Sequence, residues 1–420
     1  METIYAVSSG APPAAIAVLR LSGEGAFATV RALAGDLPEP RRAALRALRH
    51  DGNLLDRALV LIFPGPDSAT GEDIAELHLH GGRAVVRAVE AALASLPGLR
   101  AAEPGEFTRR ALMNSRIDLS EAEGLGDLLA AETEAQRRIA IRSAEGAVRR
   151  EIEGWAMRLL GVSALVEAIL DHSDEDDVAA DPAPIRAAAT ALAADIESVV
   201  ARPPVERLRD GIRIVLAGPP NAGKSSLLNA LAERDAAIVS PIAGTTRDKI
   251  EVPIVRDGLA YLLIDTAGLA ESTKDVIEAI GIARAQAALA EADLILWLGD
   301  EAAPKDAIAL HARADIREAG PEGRIAISAR TGEGIDALWS RIAAAARDLL
   351  PPPDLVALNQ RQRTLCATAA ASIRAAIGEH DLLLVAEHLR SARRAFDAVT
   401  GRADVEAMLD ALFARFCIGK

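Results

Sequence analysis

The period of apolar and polar positions changes along the chain. In the first stretch, Ala14–Leu21 and Arg57–Phe63 read as strands and Ala84–Ala94 as a helix. Glycine and proline clusters separate them at Ser8–Pro13, Pro64–Pro66 and Glu103–Gly105. From residue 118 to 208 the pattern is almost wholly helical, rich in alanine and leucine. The acidic run Asp171–Asp177, followed by Asp181-Pro-Ala-Pro184, interrupts it. Strand-like runs return after residue 209, Leu350-Pro-Pro-Pro353 closes that section, and the last seventy residues are helical again. The expected organisation is an N-terminal α+β domain over 1–116, a helical domain split into 117–208 and 349–420, and a module over 209–348 inserted between its halves.

The inserted module carries the most specific chemistry. Gly218-Pro-Pro-Asn-Ala-Gly-Lys-Ser-Ser226 follows the apolar run Ile212–Ala217 and precedes the helix-like Leu227–Leu231. Strand, glycine-rich loop and helix are the context of a phosphate-binding P-loop. Glycines at 218 and 223 let backbone N–H groups turn toward phosphate oxygens, Lys224 brings a charge to the β- and γ-phosphates, and the Ser225 hydroxyl suits Mg²⁺. Asn221, Ala222 and Ser226 complete the candidate nucleotide contacts.

A buried-looking strand runs into Asp265-Thr266-Ala267-Gly268, where a carboxylate can hold Mg²⁺ through water and a glycine N–H can sense a γ-phosphate. Between the two motifs lies Gly244-Thr245-Thr246-Arg247-Asp248, in which Thr246 offers a further hydroxyl to Mg²⁺. This order points to a GTPase, and the expected module is a Ras-like G domain. Guanine recognition falls to Asp315, at the end of His311-Ala-Arg-Ala-Asp315 after the strand Ala307–Leu310, and to Ser328-Ala329-Arg330. Ala312 and Arg313 stand where Asn and Lys are usual, so reduced affinity or discrimination is expected. Asn221 has two readings, a turn residue or a ligand for K⁺ that would supply the charge of an arginine finger; no in-cis finger is evident, Arg247 apart.

Composition narrows the class. The 420 residues carry a net charge of −14, against a nucleic-acid binder that relies on bulk charge. The two cysteines make no disulfide framework, and no signal-peptide pattern or membrane-length apolar run is present, so a cytoplasmic protein without a membrane segment is expected. Aromatic residues are only 3%, too few for extensive base stacking.

Two further regions invite a chemical reading. At the C-terminus, Cys417 in Phe416-Cys-Ile-Gly-Lys420 is either a small apolar residue or a reactive thiol favoured by a neighbouring cation. Cys366, inside a helical run, reads as packing. Near the front, Glu76, His78 and His80 alternate along one strand and share a face, which suits a polar ligand pocket better than a metal. Arg109, Arg110 and Arg116 could hold an anionic ligand or form an ordinary basic segment.

Together these segments resemble the MnmE (TrmE) family of tRNA modification GTPases, over nearly the whole chain. The resemblance rests on Leu19-Arg-Leu-Ser-Gly23, Thr70-Gly-Glu-Asp73, His80-Gly-Gly82, Pro104-Gly-Glu-Phe-Thr-Arg-Arg-Ala111 and Asp118-Leu-Ser-Glu-Ala-Glu123. The G-domain motifs and the terminal Cys-Ile-Gly-Lys complete it. It implies a homodimer formed through the N-terminal domains. It also implies a site there for 5-formyltetrahydrofolate or 5,10-methylenetetrahydrofolate, contacted by Arg20, Glu76, Arg116 and Lys420. By the family's pattern K⁺ is held by Asn221, Ser240, Ile242 and Thr245, Glu278 orients the attacking water, and Cys417 is essential. The implied activity is K⁺-stimulated GTP hydrolysis in a complex with the FAD-dependent partner MnmG (GidA), a heterotetramer in expectation. That complex adds a carboxymethylaminomethyl-type group to carbon 5 of the wobble uridine of certain tRNAs. The competing reading is a regulatory RNA- or ribosome-associated GTPase without one-carbon chemistry.

Overall fold

The alternation in the first hundred residues becomes a sheet because every second side chain can be buried while its neighbours stay polar. The structure is a computed structural model. It describes residues 2–171, 183–233, 251–266, 286–318, 320–352, 354–402, 409, 412–414, 416 and 418–419. Two compact units result: one comprises 1–126, 143–152 and 397–420, the other 127–142 and 153–396.

In the first unit the elements are β1 (Thr3–Val7), β2 (Ile16–Ser22), α1 (Ala26–Ala34), β3 (Ala44–His50), β4 (Asn53–Phe63), β5 (Ile74–His80), α2 (Arg83–Ser95), β6 (Leu99–Ala101) and α3 (Glu106–Met113). The six strands form one sheet in the order β3-β4-β5-β2-β1-β6, antiparallel except for the parallel β1–β6 pair. Leu19, Leu21, Leu77 and Leu79 on one face pack with Val30 and Leu33 of α1 and Val86, Val89 and Leu93 of α2. On the other face Ile4 and Ala6 bury Phe107 of α3.

The helices that follow are α4 (Leu119–Ala130), α5 (Glu134–Ala144), α6 (Ala147–Asp171), α7 (Ala183–Val200) and the short α8 (Glu206–Arg209). Sequence-encoded caps start two of them. Asp118 Oδ1 accepts from Glu121 N at 2.8 Å while Glu121 Oε2 accepts from Asp118 N at 2.7 Å. Thr133 and Gln136 repeat the exchange, with Gln136 Oε1 accepting from Thr133 N at 2.8 Å. Such reciprocal bonds satisfy N–H groups that a helix start leaves unpaired, each cap contributing about 1 kcal/mol. The Asp118-Leu-Ser-Glu-Ala-Glu123 motif is therefore, at its start, a capping box.

The rest of the second unit holds β7 (Ile212–Ala217), α9 (Lys224–Glu233), β8 (Glu251–Arg256), β9 (Leu259–Asp265), β10 (Leu294–Trp297), β11 (Ile308–Ala312), β12 (Ile325–Ile327), α10 (Ile335–Leu349) and α11 (Gln360–Gly378). The final helix, α12 (Leu382–Thr400), begins in this unit and ends in the first. The sheet order is β12-β11-β10-β7-β9-β8, parallel except for β8. Leu227 and Leu231 of α9 and Leu338 and Trp339 of α10 join its main core, and Val215 and Ile264 pack with Ala288 in a second cluster. A largely parallel sheet between apolar layers places ligand sites at the carboxyl ends of its strands. The molecule is thus a multidomain α/β and α protein, with a P-loop α/β module inserted in a helical region.

Entry to and exit from that module lie side by side. Val205 N donates to Leu358 O at 3.3 Å, and Arg202 Nη1 to Val356 O at 3.0 Å. Gln136 Nε2 donates to the carbonyls of Leu208 and Arg209 at 3.0 and 3.1 Å, just ahead of β7. Among the helices, α7 packs on α11, tied by Arg374 to Glu197 at 2.7 Å. No helix among the described residues is long and apolar enough to cross a membrane.

Candidate nucleotide site and N-terminal polar site

The P-loop leaves the carboxyl end of β7, the central strand, as the ligand rule for such sheets requires. Gly218 has φ +146°, and a Cβ there would stand 3.1 Å from Gly299 N, so only glycine fits the close approach to β10's exit. Asn221 has φ +61°, the left-handed conformation that asparagine tolerates better than most residues. Lys224 opens α9 and is 5% exposed. Its Nζ donates to Gly218 O and Pro219 O, both at 2.9 Å, so the loop carries its ammonium ready placed. Burial pushes the Lys224 ammonium below the ordinary lysine value, and the charge of Asp265 works in the other direction.

Asp265 ends β9, 1% exposed, and accepts from Ser225 Oγ at 2.5 Å. The structure thus joins two of the expected Mg²⁺ residues from motifs forty positions apart. A hydroxyl and a carboxylate in contact beside a phosphate-directed lysine are hard oxygen donors, the set that Mg²⁺ prefers. Thr266 Oγ1 donates to Leu216 O at 2.8 Å, which anchors the start of the next loop to β7. Ser240, Ile242, Thr245, Thr246, Ala267, Gly268 and Glu278 lie outside the described residues.

Beside the P-loop is a cleft of about 330 Å³, lined by Ala222, Gly223, Ser226, Arg313, Asp315 and Arg330 among others. Its size suits a purine. Asp315 Oδ1 accepts from Ser328 Oγ at 2.8 Å, and its Oδ2 from Arg330 Nε at 2.9 Å. The Ser328 hydroxyl, with the Arg330 guanidinium behind it, holds the Asp315 carboxyl below the usual carboxylate range. The strand before this loop runs to Ala312, two residues beyond the expected Ala307–Leu310, because β11 pairs with β12 up to Ala312–Ile327.

Two contributors were not assigned from sequence. Arg313, noted only as a replacement, donates to Asn221 O at 2.7 Å and ties the base loop to the P-loop. Ile316 lines the cleft while 70% exposed; a large apolar residue beside a nucleotide motif was the available signal.

In the first unit Arg20 and Glu76 face each other across β2 and β5. Arg20 Nε and Nη2 donate to Glu76 Oε1 at 3.0 and 2.9 Å, and the guanidinium lies 5.8 Å from the Phe107 ring centre. His78 Nε2 stands 3.3 Å from Glu76 Oε2. His80 turns instead to Asp56, with Nδ1 2.7 Å from Oδ1. No metal-holding group of three such side chains occurs among the described residues.

The reading of Arg110 as an anion-binding residue is corrected. It is 5% exposed and committed inside the protein, to Glu72 Oε2 at 2.8 Å, Glu106 Oε1 at 3.1 Å and the carbonyls of Ser22 and Glu2. Burial demanded such partners, and Glu72 of the Thr70-Gly-Glu-Asp73 motif supplies one. Arg116 lies 3.7 Å from Asp67. The tail belongs to this unit: Ile418 bridges to Pro104, and Gly419, at φ +95°, leaves no room for a Cβ beside Val7 O. Cys417 and Lys420 lie outside the described residues. Cys366 is fully buried, its thiol pushed up to about 12 by burial.

Comparisons with known proteins agree across the length of the chain. The family described as MnmE helical domain matches residues 119–417, and that described as GTP-binding protein TrmE N-terminus matches 3–116. A protein of Erythrobacter litoralis (strain HTCC2594), named tRNA modification GTPase MnmE, is 57% identical, with 100% of both chains covered. One of the same name from Rhizorhabdus wittichii is 56% identical, over 100% of this chain and 97% of its own. Among solved structures, the G domain of the T. maritima FeoB iron transporter is 26% identical. That match covers 32% of this chain and 98% of the other at a TM-score of 0.24, too low to bear on the fold.

Proposed function

The chain belongs to the MnmE family, and on that premise we propose that it is the GTP-hydrolysing subunit of a complex that modifies the wobble uridine of certain tRNAs. One observation carries the hydrolytic part. Lys224 is already held by loop carbonyls while Ser225 and Asp265 meet at 2.5 Å. Little reorganisation is then needed when phosphates arrive, and preorganised charge is the main source of catalysis in phosphoryl transfer.

Lys224 would bond the β- and γ-phosphate oxygens, and Ser225 with Asp265 would hold Mg²⁺, which would supply positive charge beside those phosphates. Asp315 pairs with the guanine edge, since two carboxylate oxygens match its N1–H and exocyclic amine. Glu278 orients the attacking water. Asn221, with Ser240, Ile242 and Thr245, would hold K⁺, which would supply positive charge in place of an arginine finger. The exposed amide of Asn221 on a left-handed P-loop residue fits that role.

The modification chemistry belongs to the first unit. Arg20, over the Phe107 ring, and Glu76 form a donor and an acceptor suited to the amide-like edge and flat face of a pterin. Arg116 and Lys420 would add charge, and a folate bound there would supply the one-carbon unit. Cys417 sits in a tail whose neighbour Ile418 pairs with this unit at Pro104. The protein works in the cytoplasm as a homodimer with a flavin-dependent partner, and the domain limits 1–116, 117–208, 209–348 and 349–420 follow the same reading.

The deciding experiment measures two activities in one variant. Cys417→Ser is expected to hydrolyse GTP normally and to leave wobble uridine unmodified in a strain relying on it. Normal modification in that strain would defeat the one-carbon assignment and favour a GTPase switch. Hydrolysis rates compared in KCl and NaCl test the ion separately, and equal rates would remove K⁺ from the mechanism.

A further inference from the structure

The base cleft is lined by a guanidinium, that of Arg330, bonded to its carboxylate, Asp315. Guanine presents two donors, N1–H and the exocyclic amine, and needs both oxygens of a carboxylate to receive them. In Asp315 both oxygens are already engaged. The two partners differ in kind. Ser328 is fully buried, and its hydroxyl also accepts from Thr331 N at 3.2 Å, so it is a fixed support beneath Asp315. Arg330 has a side chain 76% exposed, while that of Asp315 is 12% exposed. It reaches Oδ2 from the solvent side and lines the cleft that the base must enter.

We propose that Arg330 is a gate on the guanine site: it occupies Asp315 Oδ2 and must leave before guanine can pair there. This rests on Asp315 as the guanine-binding carboxylate. The gate makes part of each association event an exchange of one charged hydrogen bond for another. Because the guanidinium is exposed, its release is easy, and an exposed ion pair shifts an equilibrium by about two- to fivefold. Salt screens such a pair, so the hindrance weakens as ionic strength rises. Removing a side chain that lines the site should therefore tighten nucleotide binding, the reverse of what a base contact would do.

The test is stopped-flow binding of mant-GDP to the full-length protein, Arg330→Ala and Arg330→Gln, at low and high KCl. Both variants are expected to bind about two- to fivefold tighter at low salt through faster association, with the advantage shrinking at high salt. Thermal melting of each variant without nucleotide checks that the fold is retained. Unchanged affinity in both variants overturns the gate. So does weaker binding with faster dissociation, which would make Arg330 a support for the base. A wild-type protein that bound no mant-GDP would overturn the assignment of Asp315 itself, whereas tight wild-type binding with weakened variants overturns the gate alone.

Discussion

Arg313 Nη2 donates to the carbonyl oxygen of Asn221 at 2.7 Å, so the base loop and the phosphate loop share a hydrogen bond. Both residues stand at φ +61°, a conformation that costs energy in a non-glycine residue and needs a partner to hold it. With alanine at 312, the guanidinium of Arg313 supplies this tie between the two loops.

Arg313→Ala should weaken GDP and GTP binding about tenfold, the worth of a charge-assisted hydrogen bond at a partly exposed site. Arg313→Lys should recover most of that loss, because an ammonium can donate to the same carbonyl. Isothermal titration with both nucleotides checks this; an affinity unchanged in Arg313→Ala would show that the tie is incidental.

The Glu106 carboxylate makes stability pH-dependent around α3. Burial would raise its pKa, but hydrogen bonds from Arg100, from the Glu103 backbone and from Arg110 outweigh it, and the folded value lies below the ordinary 4.5. For a depressed carboxylate the stabilisation is complete above the unfolded value and disappears as pH falls through the folded one. Hydrogen-exchange protection of α3 should therefore fall as pH drops below 4.5, and Glu106→Gln should be less protected than wild type above that pH and less sensitive below it. Parallel pH profiles for the two proteins would refute the assignment.

Cys366 should be chemically silent. Its thiol is fully buried and titrates near 12, so almost no thiolate exists at neutral pH. Because the chain has two cysteines, a Cys417→Ser variant should release no chromophore from Ellman's reagent when native and one equivalent when denatured. Rapid native reaction would mean that α11 opens readily.

Gln136 joins a helix cap to the entry of the G domain. Gln136→Glu keeps the oxygen that accepts from Thr133 but turns a second oxygen toward the carbonyls of Leu208 and Arg209. Stranding buried acceptors in this way should cost about 2–3 kcal/mol, against about 1 kcal/mol for Thr133→Ala, which removes only a cap. Urea unfolding followed by tryptophan fluorescence distinguishes them, and equal losses would assign the whole effect to the cap.

The local elements were legible in the sequence because their signals are local. Gly218-Pro-Pro-Asn-Ala-Gly-Lys-Ser225 between a strand and a helix identified the P-loop, and Glu76, His78 and His80 were placed on one strand face by period alone. Asp315 and Ser328 were also named from their motifs, and the structure brings them within 2.8 Å. The partners that decide what a charged residue does were not legible, because they come from distant positions. Arg110 looked like Arg116, yet one is buried against Glu72 and Glu106 while the other stays at the surface beside Asp67. Arg330 was likewise named from its motif, but its 2.9 Å hydrogen bond to Asp315 Oδ2 is visible only in the fold. The sequence by itself determined the catalytic vocabulary, since a phosphate loop requires particular residues at fixed spacing. Tertiary structure alone decided which charges are consumed internally and which remain for a ligand, since burial forces a charge to find a partner wherever the fold brings one.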